Sequence, residues 1–147
     1  MDLFAALRES YLSESLSDDQ LHGLEGLAQF VEFEDLQDIV RANEVSFDLY
    51  VLVDGSVEVT TESGDIISRL KPGAIIGEYA LLEGGERSAT VMSNGKSQLI
   101  HLDGQKLLAH MEANPQVGMI LYRNFGKTLC ERLRSANIQI ERLVSVL

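Results

Sequence analysis

Two charged residues, Glu78 and Arg87, stand nine positions apart in a stretch that is otherwise largely apolar and rich in glycine. Burying either charge alone costs several kcal/mol, and pairing them does not always offset the lost hydration. A chain that keeps both charges in such a setting is expected to use them on a ligand. The planar guanidinium fork of arginine suits a phosphate, whereas a carboxylate accepts a hydrogen bond from a hydroxyl group. A phosphate and a sugar hydroxyl together describe a nucleotide.

The backbone around these two residues is expected to contribute to the same chemistry. Gly77 allows the chain to come close to a ligand. The amides of a short helical turn after Glu78, at Tyr79 and Ala80, can point at an anion. The residue types alone leave a second interpretation open, in which Glu78 and Arg87 form a structural ion pair.

The run GEYALLEGGERSATV, residues 77–91, resembles the phosphate-binding cassette of the cyclic-nucleotide-binding domain family, in particular that of catabolite-activator-type regulators. The resemblance implies that Glu78 holds the ribose 2′-hydroxyl and that Arg87 holds the cyclic phosphate. It further implies that Ser88 adds a hydroxyl to the phosphate, and that backbone amides near Gly77 and Ala89 complete the cradle. The ligand implied is a cyclic nucleotide, with cAMP favoured over cGMP, although Ser88 is compatible with either base.

The same resemblance assigns the purine to the last helix of the chain. Alignment through Arg132 and Leu133 places the base-contacting positions of such regulators at Ala136 and Asn137. The amide of Asn137 offers a donor and an acceptor for a purine edge, from its own subunit or from a partner. The alternative is that Asn137 is a surface residue on the flank of a paired helix.

The chain divides into three stretches by pattern. Residues 1–32 are predicted to be helical, with a capping box at residues 17–20 that starts a helix at Asp18. Residues 33–102 are predicted to form short strands, including hairpins turned at Asp54-Gly55 and at Asn94-Gly95. Residues 103–147 are predicted to be helical again, with a helix N-cap at Asp103 and another helix start at Asn114-Pro115.

This order predicts an α+β fold: a jelly-roll β-roll, or double-stranded β-helix, flanked by N-terminal helices and a long C-terminal helix. The 147 residues are expected to form one domain, with the cassette at residues 72–91. The family usually has glycine in the early turns where this chain has Leu36 and Asn43. Asparagine tolerates a left-handed turn and leucine does not, so an irregular first hairpin is expected.

An apolar seam with alternating spacings of four and three runs along the last helix and predicts a parallel homodimer through residues 122–147. Its members are Tyr122, Gly126, Leu129, Leu133, Ala136, Ile140, Leu143 and Leu147. A second stripe of Ile120, Leu121 and Phe125 is expected to pack on the β-roll. The alternative is that the whole helix covers only the core of its own domain.

Composition restricts the classes of function. The net charge is −11, and residues 1–48 alone hold 12 acids and 2 bases, so the chain is not expected to bind nucleic acid. No apolar run is long enough for a membrane span, and one cysteine excludes an internal disulfide, so a cytoplasmic protein is expected. No metal-ligand or catalytic set stands out, so neither an enzyme nor a resident cofactor is expected.

The sequence therefore predicts a stand-alone cyclic-nucleotide sensor that signals to an unknown effector protein by a change of shape. The acidic first 48 residues could serve as a docking face for a basic partner. The alternative is a degenerate domain of the same fold that serves as a dimerisation or scaffold module, with another ligand or none.

Overall fold

The computed structural model describes residues 1–146 and places a β-roll between N-terminal and C-terminal helices. The helices are α1 (Leu3–Arg8), α2 (Asp18–Glu25), α3 (Glu78–Glu83), α4 (Gly104–Ala113) and α5 (Pro115–Val146), with a 3₁₀ turn at Tyr11–Ser13. The strands are β1 (Ala28–Phe33), β2 (Asp38–Val40), β3 (Leu49–Thr60), β4 (Ile66–Leu70), β5 (Ile75–Ile76) and β6 (Thr90–Leu102). The predicted α+β class, a β-roll flanked by helices with a long helix at the C-terminal end, is confirmed.

Two long strands, β3 and β6, form the spine of the roll. They pair antiparallel with each other, β1 and β2 add to β6, and β4 and β5 add to β3. The short α3 lies between β5 and β6, so the segment predicted to bind the ligand interrupts the roll at one end.

The prediction of hairpins at Asp54-Gly55 and Asn94-Gly95 is wrong. Each glycine lies inside one continuous strand, β3 or β6, and has a left-handed φ of 104° or 77°. The register between β3 and β6 shifts around Asp54, which is how a bulge accommodates an extra residue and bends a strand. The residues on either side of each glycine pair with the other long strand rather than with one another.

The prediction that helix extends to residue 32 is also wrong at its end. The Ser17 capping box forms as predicted and starts α2 at Asp18, but α2 ends at Glu25 and Gly26 follows as its cap. Residues 28–33 then form β1, in full antiparallel register with the far end of β6. The sheet partner overrides local helical spacing, because Phe30, Val31 and Phe33 suit a strand as well as a helix.

The early turns are strained as the sequence suggests. Leu36 and Asn43 both adopt left-handed backbone, with φ of 65° and 69°. Leu36 is 66% exposed, and its amide donates to the carbonyl of Ser93 on β6. The turn is therefore held by its backbone bond to the sheet rather than by the preference of its own side chain.

The hydrophobic core has two parts. One lies inside the roll around Leu52, Val57 and Leu99. The larger lies between the roll and the helices, and includes Leu121 and Phe125 of α5, both fully buried as predicted. The buried face of α5 therefore ends near Phe125, and the rest of the helix extends past the core.

One polar contact fixes α5 to the N-terminal segment. The amide nitrogen of Asn124 is buried and donates to the carbonyls of Leu12 and Glu14, at 2.7 and 2.9 Å. Beside it, Lys127 makes an exposed ion pair with the Glu14 carboxylate. Within residues 1–146, no helix is both long enough and apolar enough to cross a membrane.

Candidate functional site

The cassette turns sharply at Gly77, where only glycine fits. Gly77 has φ of 99°, and a Cβ there would lie 2.6 Å from Arg87 Nη1 and 2.7 Å from the carbonyl oxygen of Asp48. α3 begins at the next residue and ends at Glu83, and Gly84, which follows as its cap, also has positive φ. The backbone therefore brings the first turn of α3 close against the guanidinium of Arg87.

Arg87 is 4% exposed, and three oxygens hold its guanidinium. Nη2 donates to the carbonyl of Asp48 at 2.7 Å and to the hydroxyl of Ser46 at 3.2 Å, and Nη1 donates to the carbonyl of Gly77 at 3.4 Å. Burial lowers the pKa of Arg87. Nearby acidic groups, Tyr50 and Asp48 foremost, raise the pKa and partly offset this effect. Nε has no partner among the described residues 1–146, so one buried donor is left for a ligand.

Glu78 is 1% exposed and is held from α5 rather than from the cassette. Arg132 donates to Glu78 Oε1 and to the carbonyl of Ile75. Oε2 of Glu78 has no partner within the part of the chain that is described. The open alternative of a Glu78–Arg87 ion pair is wrong for residues 1–146, because the carboxylate pairs with Arg132 instead.

A cleft of about 870 Å³ joins these groups, a volume typical of a small-molecule site. Seven of the eight predicted site residues line it together: Gly77, Glu78, Tyr79, Ala80, Arg87, Ser88 and Ala89. Asn137 does not line it, because its side chain is exposed on another face of α5. The side of the cleft formed by α5 has Leu133, Ala136 and Gln139 instead, opposite residues of β4.

Several residues of α5 that line the cleft are not among the predicted site residues, and two of them make polar contacts across it. Arg132 reaches Glu78, and Gln139 donates from Nε2 to the carbonyl of Ile67 on β4 at 2.9 Å. Both positions precede a seam residue, Leu133 or Ile140, on the same side of the helix. A charged residue and an amide on one flank of an apolar seam, one heptad apart, are the signal that identifies them.

The charge of the cleft opposes that of the whole chain. Five cationic side chains line it, namely Arg69, Lys71, Arg87, Lys127 and Arg132, against the carboxylates of Glu14, Glu78 and Glu131. The chain as a whole carries a net charge of −11. A locally positive cleft in an acidic protein favours an anionic ligand over a neutral one.

Residues 30–114, more than half of the chain, match the sequence profile of the cyclic nucleotide-binding domain. The chain belongs to this family. The matched range contains the whole cassette and the β-roll from β2 to β6, and it ends at the start of α5.

Relatives of this cyclic nucleotide-binding domain support the assignment. A cAMP-dependent protein kinase regulatory subunit of Dictyostelium discoideum is 39% identical over 83 residues, which is 52% of this chain and 25% of the subunit. The catabolite activator protein of Thermus thermophilus superposes with a TM-score of 0.73 at 25% identity, over 92% of this chain and 63% of the activator. A cyclic nucleotide-binding domain from Methylobacillus flagellatus has the same fold, with a TM-score of 0.86 at 20% identity, over 95% of this chain and 83% of that chain.

The curated relatives are much longer proteins. This cyclic nucleotide-binding domain spans 14% of a potassium channel of Oryza sativa that it matches and 25% of the Dictyostelium subunit.

Proposed function

We propose that this cyclic nucleotide-binding domain is a regulatory sensor that binds a cyclic mononucleotide, cAMP in preference to cGMP, and signals to an effector protein by a change of shape. One observation carries the proposal. Within residues 1–146, two buried polar atoms lack partners, Glu78 Oε2 and Arg87 Nε, and both belong to residues that line one cleft. An acceptor and a cationic donor left open in this way match a ribose hydroxyl and a cyclic phosphate.

The proposed pose assigns a role to each part of the cassette. The phosphate lies on Arg87 and on the backbone amides near Gly77 and Ala89, with the hydroxyl of Ser88 beside it. The ribose 2′-hydroxyl donates to Glu78 Oε2, while Arg132 stays on Oε1 and holds the carboxylate in place. The purine then extends toward β4 and the Ala136 region of α5, where Ile67, Leu70 and Leu133 supply apolar parts of the cleft wall.

Signalling is proposed to pass through α5. Arg132 joins this helix directly to the carboxylate that meets the ribose, and Gln139 joins it to β4. A ligand that draws the cassette inward changes both contacts, so it favours one position of α5 over another. A ligand shifts such an equilibrium only if it binds one state more tightly than the other. The contacts through Arg132 and Gln139 are proposed to supply that difference.

The active unit is proposed to be a parallel homodimer through residues 122–147. Tyr122, Leu133, Ile140 and Leu143 of the seam are all at least half exposed in the single chain, as expected if a second copy covers them. The last seam residue, Leu147, lies outside the described residues. Arg132 lies just before the seam residue Leu133, and Asn137 lies just after the seam residue Ala136. In a parallel pair of helices these two positions face each other, with Arg132 on one helix and Asn137 on the other. Asn137 of the second copy would then stand beside the cleft.

The test is calorimetric titration of the purified protein with cAMP, cGMP and AMP. Micromolar or tighter binding of cAMP, weaker binding of cGMP and no binding of AMP are expected. If neither cyclic nucleotide binds, the alternative gains support: a degenerate domain that serves as a scaffold or that binds another anion.

A further inference from the structure

The segment from Asn43 to Asp48, between β2 and β3, contacts the phosphate-binding arginine at both its backbone and its side chain. The amide of Asn43 donates to the carbonyl of Arg87, and the amide of Arg87 donates to the carbonyl of Glu44, at 3.0 and 2.9 Å. The guanidinium of Arg87 then donates to Ser46 and to Asp48. This clamp segment, residues 43–48, therefore holds both the backbone and the guanidinium of Arg87 in place.

Ser46 occupies the centre of the clamp segment. Its hydroxyl accepts from Arg87 Nη2 at 3.2 Å and from the amide of Asp48 at 3.3 Å. Its own amide donates to the carbonyl of Gly85 in the cassette at 2.6 Å. One short side chain thus links the guanidinium to the backbone turn that supplies the Asp48 carbonyl.

The position of the clamp segment is fixed from two sides by Phe47. A Cβ on Gly85 would lie 2.9 Å from the Phe47 ring, so the cassette packs directly on that ring. A Cβ on Gly104, at the start of α4, would lie 1.7 Å from the Phe47 carbonyl oxygen. Since these contacts hold the backbone, the Ser46 hydroxyl is a fixed acceptor rather than a mobile one.

We infer that Ser46 is a positioning residue for phosphate recognition, acting through Arg87, an inference that rests on the proposed function. Ser46 and the Asp48 carbonyl occupy both N–H groups of Nη2, which sets the rotation of the guanidinium plane. That rotation decides which donors a bound phosphate can reach, and Nε is a buried donor without a partner in residues 1–146. Without the Ser46 hydroxyl, the guanidinium keeps only its contacts with the carbonyls of Gly77 and Asp48. It can then rotate away from the phosphate.

The test compares Ser46→Ala and Ser46→Thr with the unsubstituted protein. Alanine keeps the backbone bond to Gly85 and removes only the hydroxyl, so the protein should stay folded, with a modest fall in melting temperature from the two donors that lose their acceptor. Affinity for cAMP should fall by about tenfold, the effect of one hydrogen bond to a charged group. Threonine retains the hydroxyl and should restore most of the affinity. Ser63→Ala, in an exposed turn outside the cleft, is the matched control and should bind cAMP normally.

A second readout separates positioning from a merely structural role. The two phosphorothioate diastereomers of cAMP place sulfur on one or the other exocyclic phosphate position, and a fixed guanidinium should discriminate between them. Ser46→Ala should reduce that discrimination. Equal weakening of both diastereomers, or unchanged cAMP affinity, would overturn the inference. Failure of the unsubstituted protein to bind cAMP would overturn the proposed function and this inference with it.

Discussion

At the residue scale, the two buried charged side chains Glu78 and Arg87 are each held in place by hydrogen bonding. Each also keeps one polar atom that has no partner within residues 1–146. Arg132 occupies one oxygen of Glu78, and three neutral oxygens occupy the outer nitrogens of Arg87. Because those three oxygens carry no full charge, burial lowers the pKa of Arg87. An anion bound at Nε would reverse that effect, so ligand binding and the charge of Arg87 stabilise each other.

The first prediction concerns this arginine. Arg87→Ala should leave the fold intact and reduce cyclic-nucleotide affinity by about 2–5 kcal/mol, since a charge-assisted contact at a buried site is lost. Calorimetry measures the affinity, and circular dichroism checks the fold. Arg134→Ala, an exposed arginine outside the cleft, is the control and should bind normally. Retained affinity in Arg87→Ala would refute the assignment of the cassette.

The strained turn at Leu36 gives a second prediction. A leucine in left-handed backbone costs about 1–2 kcal/mol, and the exposed side chain of Leu36 contributes little packing in return. Leu36→Asn should therefore raise the free energy of unfolding by about 0.5–1 kcal/mol in urea titration. Val45→Asn, at an equally exposed site without positive φ, should give no such gain. A destabilised Leu36→Asn protein would show that the side chain matters more than the backbone.

At the element scale, α5 has two successive environments. Its first eleven residues include the fully buried Leu121 and Phe125, whereas the apolar residues from Leu133 to Val146 are exposed. The exposed residues are not spread evenly around the helix, because the seam recurs every three or four positions. A contiguous exposed apolar stripe on a soluble helix is typical of an interface.

The third prediction tests that interface with two isoleucines. Ile140→Asp places a charge in the seam and should give monomers by light scattering, since a buried unpaired charge is strongly unfavourable. Ile138→Asp lies two residues earlier on the opposite face and should remain dimeric, although Ile138 is similarly exposed in the single chain. Dimers in both variants would refute the seam, and monomers in both would implicate general loss of helix stability.

The sequence predicts some elements of this fold and misses others for identifiable reasons. The capping box at Ser17, the N-cap at Asp103 and the start at Pro115 all depend on neighbouring residues only, and all three helix starts are confirmed. The hairpins at Gly55 and Gly95 were wrong because a glycine at positive φ serves a bulge as well as a turn. Only the partner strand decides between the two, and that information is non-local.

In the candidate site, too, the features set by neighbouring residues are predicted and those set by distant residues are missed. The seven cassette residues are close in sequence and were predicted together, because one loop and one helical turn position them. Arg132 is 54 positions from Glu78, so its contact depends on how α5 crosses the roll. Ser46 is 41 positions from Arg87 and has no motif of its own. Contacts between residues this far apart in sequence depend on tertiary packing, so the local spacing of residues does not predict them.

At the scale of the whole molecule, the N-terminal segment and α5 form one unit through Asn124. Its amide satisfies two backbone carbonyls of the 3₁₀ turn region, at Leu12 and Glu14, in a buried position. The same region reaches the cassette, since the amide of Tyr11 donates to the carbonyl of Gly73 at 3.0 Å. Movement of α5 is therefore coupled to the N-terminal helices as well as to the cleft.

The fourth prediction measures this coupling contact. Asn124→Ala removes both hydrogen bonds and leaves the buried carbonyl of Leu12 and the part-buried carbonyl of Glu14 without this partner, so the free energy of unfolding should fall by about 2–3 kcal/mol in urea titration. Lys127→Ala removes the neighbouring exposed ion pair and should cost less than about 1 kcal/mol. Equal effects in the two variants would show that the buried amide carries no special share of the stability.

The length of α5 beyond Arg132 has a mechanical consequence. The 15 residues from Arg132 to Val146 span about 21 Å of helix, and most of that length makes no contact with the roll core. In the proposed sensor, this segment acts as a lever arm that pivots at the cleft. A tilt of about 5° at the pivot would move the tip by about 2 Å over such a length. The far end of the helix would then magnify sub-ångström adjustments around Glu78 into displacements that the proposed effector protein can detect.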